Sequence, residues 1–319
     1  MRYRQLGTTD LRLSEVSLGT VALGIPYGVG AEAPGADGVP PPADRDAIAL
    51  VHHAIDRGLN FFDTARAYGR SEKLLGKALR GQRHKILLAT KVSCQDDDGK
   101  DFRGRDLADK MAASLHTSLR LLGTEYVDLL LLHSASTELL DSGAAIAQLK
   151  RFQADGKTRY IGASTYGTVA PRIAIAQGVD ALQVAFNILD QRLAAEVLPA
   201  ADAAGVGIIA RSVFLKGALS SRAEYLPARL SALKRQSRAV EQAAAALSPP
   251  LTREAAALKF VLAHESIATA LVGVRDIAEL EASLAAARAP GFCEATLERF
   301  RQLRCDEDEL LDPSTWGLP

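Results

Sequence analysis

The chain reads as an α/β protein, a (β/α)8 barrel with an N-terminal β-hairpin and extra C-terminal helices. Three observations predict this. Eight short apolar stretches alternate with longer amphipathic ones, glycine recurs where a helical pattern gives way to the next strand, and 319 residues suffice for eight such units in one domain spanning 1–319. An open doubly wound sheet is the competing arrangement of the same units.

The hairpin comes first, turning at Gly7-Thr-Thr-Asp10. Strands are then expected at 16–20, 59–64, 86–91, 127–133, 159–164, 181–186, 207–211 and 269–272. Ahead of six of them stand Gly58, Gly81, Gly123, Gly156, Gly178 and Gly205. A helix that ends in the left-handed conformation needs a residue without a Cβ penalty, so these are helix C-caps feeding strands. Such βα units make parallel strands, and the run Leu129-Leu-Leu-Leu132 says that both faces of the sheet are covered. Long loops at 26–43, 93–105 and 213–233 fall on the carboxyl-end face, where they shape a pocket. Amphipathic segments at 232–247 and 295–304 are helices outside the eightfold pattern.

Composition narrows the partners. Lys plus Arg and Asp plus Glu number 38 each, so no global basic field favours nucleic acid or an anionic membrane. No stretch approaches the length of a bilayer span. The three cysteines, Cys94, Cys293 and Cys305, are too scattered for a disulfide framework, and no His or Cys spacing suggests a metal site. A soluble protein of the reducing cytoplasm is expected.

The chemistry should lie in Asn60-Phe-Phe-Asp-Thr-Ala-Arg-Ala-Tyr-Gly69, where an apolar strand delivers Asp63 and the loop beyond it carries Tyr68. Lys91 and His133 close two further apolar strands. A phenol, an ammonium, a carboxylate and an imidazole at strand ends suit acid catalysis on a carbonyl oxygen. Lys91 would bring the Tyr68 phenol below its ordinary pKa near 10, Asp63 would keep Lys91 charged, and His133 would bond the same oxygen. Taken singly, Asp63 also reads as a turn cap, Tyr68 as loop packing and His133 as a satisfied strand-end residue. None of the four is a hydride source, so a reduction needs a nicotinamide cofactor.

Asp63-Thr-Ala-Arg-Ala-Tyr68-Gly69, Ala89-Thr-Lys91 and Leu131-Leu-His133 carry a resemblance to the aldo-keto reductases, single (β/α)8 TIM barrels that use NADPH. Arg4-Gln-Leu-Gly7, Leu18-Gly19-Thr20 and the stretch Gly156 to Ser164 extend it over nearly the whole chain. The resemblance implies hydride transfer between a nicotinamide and a small aldehyde, ketone or sugar, or the corresponding alcohol, with Tyr68 as general acid and base. It also implies that Gly19, Thr20 and Asp63 flank the cofactor and that Ser164 and Gln183 hold its carboxamide. Arg211, Ser212, Phe214, Leu215 and Gly217 would follow the pyrophosphate, while Gly273, Arg275, Glu279 and Ser283 would face the adenosine. Arg211 stands where many relatives place an aromatic residue against the nicotinamide, and Thr165 where asparagine often follows the serine.

NADP(H) is the expected cofactor, with Arg275 on a 2′-phosphate. NAD(H) stays possible because Asp276, Glu279 and Glu281 put carboxylates nearby, and an acid on the ribose 2′-hydroxyl marks NAD sites. A second reading of the same barrel is a cofactor-binding sensor or regulatory subunit with little turnover.

Overall fold

The computed structural model describes residues 1–30, 40–96 and 99–318. Part of the 26–43 loop, two positions of the 93–105 loop and the last residue therefore lie outside the described residues.

Strands β1 (Tyr3–Gln5) and β2 (Arg12–Ser14) form the antiparallel hairpin, and Leu6 N–H closes its turn on Leu11 O. The barrel strands follow: β3 (Val16–Gly19), β4 (Phe61–Asp63), β5 (Leu87–Ser93), β6 (Val127–His133), β7 (Thr158–Thr165), β8 (Ala181–Ala185), β9 (Gly207–Arg211) and β10 (Ile267–Gly273). All pair in parallel, and β10 pairs with β3 to close the barrel. Closure removes both sheet edges, which an open doubly wound sheet would leave. All eight predicted strands are present. The strand predicted at 86–91 runs on to Ser93, so Lys91 lies within it rather than at its end.

Between and after the strands lie the helices: α1 (Val21–Gly24), α2 (Asp44–Asp56), α3 (Ser71–Ala78), α4 (Gly104–Leu122), α5 (Thr137–Asp141), α6 (Ala144–Ala154), α7 (Val169–Ala176), α8 (Val197–Ala203), α9 (Ser231–Ala245), α10 (Arg253–Leu262), α11 (Ile277–Arg288), α12 (Glu294–Arg301) and α13 (Asp308–Leu311). The two extra helices read from the sequence are α9 and α12. All six joint glycines have positive φ; Gly123, at +66°, ends the 19-residue α4.

Two apolar layers result. Leu129 and Leu131 of β6 point into the barrel with Phe61, Ala89, Ala181 and Ile209, while Leu130 and Leu132 point out against the helices. This alternation is the period of two that a strand imposes. The hairpin adds Leu6, Leu11 and Leu13 to the inner layer and so stoppers the amino-terminal end. Arg4 clasps the closure, donating to Leu262 O, His264 O and Ile267 O at the start of the last strand.

Candidate active site

Side-chain parity builds the site. Asp63, Lys91, His133, Gln183 and Arg211 each stand two residues beyond an inward-pointing residue, namely Phe61, Ala89, Leu131, Ala181 and Ile209. They therefore face inward in the carboxyl-terminal halves of β4, β5, β6, β8 and β9, Gln183 at the middle of its strand. Ser164 of β7 joins them, paired in register with Gln183. A one-residue slip in any of these strands would turn its polar residue into the apolar outer layer.

The four residues picked from the sequence meet. Lys91 Nζ donates to Asp63 Oδ2 at 2.5 Å, to Thr64 O at 3.2 Å and to Tyr68 Oη at 3.2 Å. Gln183 Nε2 donates to the other Asp63 oxygen at 2.8 Å. The Tyr68 and His133 rings meet edge to face, with centroids 5.7 Å apart. Tyr68 is carried on a loop pressed against α1. Gly24 is what permits this, since a Cβ there would lie 1.8 Å from Tyr68 O.

Burial dominates the electrostatics. It would lower the pKa of Lys91, but Asp63 and Tyr68 outweigh it and the ammonium is held above its ordinary range. Burial, reinforced by the Lys91 and Arg211 charges, pushes His133 down to about 3, so its imidazole is neutral at any physiological pH. Tyr68 departs from the sequence expectation. Lys91 does pull its pKa down, but burial is the larger effect and the phenol sits above its ordinary value. The sequence shows the charge beside the phenol and does not show how dry the place is.

These groups open onto a cavity of about 650 Å3. Gly19, Thr20, Asp63, Tyr68, His133, Ser164, Gln183, Arg211, Ser212, Phe214, Gly217, Gly273, Arg275, Glu279 and Ser283 all line it. Lys91 lies beneath Asp63 and Tyr68, and Leu215 is buried in the apolar outer layer. The Leu215 side chain is thus turned away from the cavity, so a cofactor could meet this residue only through its backbone. Arg211 lies 4.0 Å over the Tyr166 ring and donates to Thr165 O and Ser212 Oγ.

The turn after β9 has left-handed backbone at Ser212, Leu215 and Lys216. Non-glycine residues hold that conformation at a cost of about 1–3 kcal/mol each, and such strain gathers at ligand sites. Further along the cavity Arg275 is bound twice by Glu279, through its N–H at 2.9 Å and its Nη2 at 3.1 Å. Its buried Nη1 has no partner among the described residues. Of the other two acids, Asp276 caps α11 by accepting from Glu279 N–H, and Glu281 pairs with His53 and Arg57. The sequence could not separate these three carboxylates, because nothing local says which way each points. Pro313 and Ser314 of the tail also reach the cavity.

Residues 15–304 match the model of the aldo/keto reductase family. The chain is 28% identical to the uncharacterized oxidoreductase YqkF of Bacillus subtilis, over 94% of this chain and 96% of that one. It is 31% identical to L-galactose dehydrogenase of Arabidopsis thaliana, over 90% and 88% respectively. Among solved structures it is similar to the holo form of an aldo-keto reductase from Bacillus halodurans, with a TM-score of 0.78 at 25% identity over 99% of this chain and 100% of the other. A match of this extent, on a closed barrel with these four side chains at its carboxyl end, decides the matter: the chain belongs to the aldo/keto reductase family and is an NAD(P)-dependent oxidoreductase.

Proposed function

We propose that the enzyme moves hydride between a nicotinamide and a small carbonyl compound or its alcohol, with Tyr68 as the proton donor in the reductive direction. The observation that carries this reading is the buried chain Asp63–Lys91–Tyr68, linked at 2.5 and 3.2 Å. Asp63 holds Lys91 as an ammonium, and Lys91 steadies the negative charge left on Tyr68 Oη when its proton departs. Neutral His133 offers a ring N–H to the reacting oxygen without competing for that proton. When bound, the cofactor supplies the hydride. Ser164 and Gln183 would hold its amide, the strained 212–217 turn its pyrophosphate, and Arg275 its adenosine end. The unpartnered Nη1 of Arg275 fits that role.

The substrates we assign are aldehydes, ketones and sugars. The likeness to an L-galactose dehydrogenase makes aldoses the first to try. A panel of carbonyls and alcohols with NADPH and NADH, followed at the nicotinamide absorbance, tests the reading. Multiple turnovers at ordinary enzymatic rates of about one per second or more are expected on at least one compound. Tight cofactor binding with no turnover across the panel would favour the sensor reading instead. The three free cysteines suit a reducing compartment, and we place the enzyme in the cytoplasm.

For the cofactor we propose NADP(H) over NAD(H), by a modest margin. A 2′-phosphate would meet the free Nη1 of Arg275 but would have to share that guanidinium with Glu279. Arg275→Ala should lower kcat/KM for NADPH by about 10–100-fold, the worth of a hydrogen bond to a charged group, and leave NADH nearly unchanged. Glu279→Gln should move the ratio toward NADPH. An unchanged NADPH/NADH ratio in Arg275→Ala would remove Arg275 as the phosphate ligand.

A further inference from the structure

Glu72 is a carboxylate that the chemistry above leaves unused. It sits in the first turn of α3, its side chain is 0% exposed, and it lies outside the barrel wall rather than in the cavity. A buried carboxylate is costly unless it is paired and hydrogen-bonded, and Glu72 is both. Its Oε1 accepts from Thr90 Oγ1 at 2.8 Å and its Oε2 from Arg66 Nη1 at 2.7 Å.

The two partners have particular neighbours. Thr90 immediately precedes Lys91 in β5, so its side chain leaves the strand on the outer face while that of Lys91 leaves on the inner. Arg66 lies two residues before Tyr68 on the loop after β4. One carboxylate thus grips, from behind the wall, both the strand that carries the ammonium and the loop that carries the phenol. Ser71, its neighbour in α3, does the same for the adjoining strands. Its hydroxyl donates to Thr20 Oγ1 at 2.6 Å and meets Thr64 Oγ1 at 3.0 Å.

We infer that Glu72 is a positioning residue, which sets the 3.2 Å separation of Lys91 Nζ and Tyr68 Oη by tying β5 to the Tyr68 loop. The inference rests on the reading of Tyr68 as proton donor. Glu72 touches neither group, so it acts through geometry. A displacement near 1 Å at a reacting group is enough to cost about a hundredfold in rate.

Three variants of the full-length enzyme test this: Glu72→Ala, Glu72→Gln and Thr90→Val. Each is assayed for kcat, KM and the pH dependence of kcat on the best substrate of the panel, beside Tyr68→Phe. Glu72→Ala should lose about 10–100-fold in kcat, with little change in KM for the cofactor. Its alkaline limb should move up, because a phenol farther from Lys91 holds its proton more tightly. Thr90→Val should show a smaller change of the same kind. Glu72→Gln should recover most of the rate, since an amide can accept from Arg66 and donate to Thr90. Should Glu72→Ala fail to fold, Thr90→Val decides.

Wild-type kcat in both Glu72→Ala and Thr90→Val overturns the inference, as does a loss with an unmoved alkaline limb and no recovery in Glu72→Gln. Tyr68→Phe keeps the two ideas apart. If it is inactive while the Glu72 and Thr90 variants are normal, only the positioning role falls; if it is active, the proton-donor reading itself falls.

Discussion

Tyr68→Phe is expected to lose about a hundredfold to ten-thousandfold in kcat, the usual contribution of a positioned general acid, with affinity for the nicotinamide cofactor nearly intact. The substitution removes one oxygen, and Lys91 keeps Asp63 and Thr64 O as partners. Turnover should be measured on a substrate whose chemical step limits the rate, and affinity by quenching of the bound nicotinamide's fluorescence. The pH profile of the wild type adds a second check. On the proposed role of Tyr68, reduction needs the phenol protonated, so activity should hold on the acid side and fall as pH rises through the Tyr68 pKa. Burial places that limb above the phenol's ordinary value near 10. No break should appear near 6.5, because His133 is already neutral from about pH 3 upward. Wild-type turnover in Tyr68→Phe would sink the assignment, and a break near 6.5 would reopen the role of His133.

Lys91→Met should be as damaging to turnover, and it should also cost stability. Asp63 would stay buried with Gln183 as its remaining side-chain partner. Breaking a buried pair by removing one member costs roughly 3–5 kcal/mol. A lowered urea midpoint with an unchanged m-value is the expected signature. The double variant Asp63→Asn with Lys91→Met separates the two losses: stability should largely return, because no charge is left unpaired, while turnover stays low. If Lys91→Met keeps full activity, the ammonium plays no part in the proton transfer. A double variant as unstable as the single one would show that lost packing, rather than the stranded charge, was the cause.

The residues that could be read from the sequence share a property. Asp63, Lys91 and His133 each interrupt an apolar strand, and a period of two then fixes which way each points. Their meeting with Tyr68 needed only a closed barrel, which the strand count and the joint glycines implied. What stayed hidden depended on directions that no local pattern encodes. Asp276, Glu279 and Glu281 look alike along the chain, yet one caps a helix, one binds Arg275 and one faces His53 and Arg57. Glu72 was equally silent, because an acid in a first helical turn usually answers the helix dipole in water. Nor does the sequence separate Tyr27, which lines the cavity, from Trp316, which is packed into the core.

The clasp of Arg4 on the last strand has a consequence for how the protein is made. Its carbonyl partner on His264 lies 260 residues farther along the chain. On a ribosome adding about 5–20 residues per second, the amino-terminal segment waits roughly ten seconds to a minute for that partner. Throughout this time β3 presents one bare edge, and the leucines of the hairpin have no closed barrel to plug. Contacts of such long span are slow to form even in a finished chain. Exposure to chaperones and to aggregation is therefore greatest late in synthesis, when seven strands are aligned and the eighth is still to come. Overproduction at lowered temperature, which slows chain elongation and weakens apolar association alike, should raise the yield of folded enzyme mainly through the second effect.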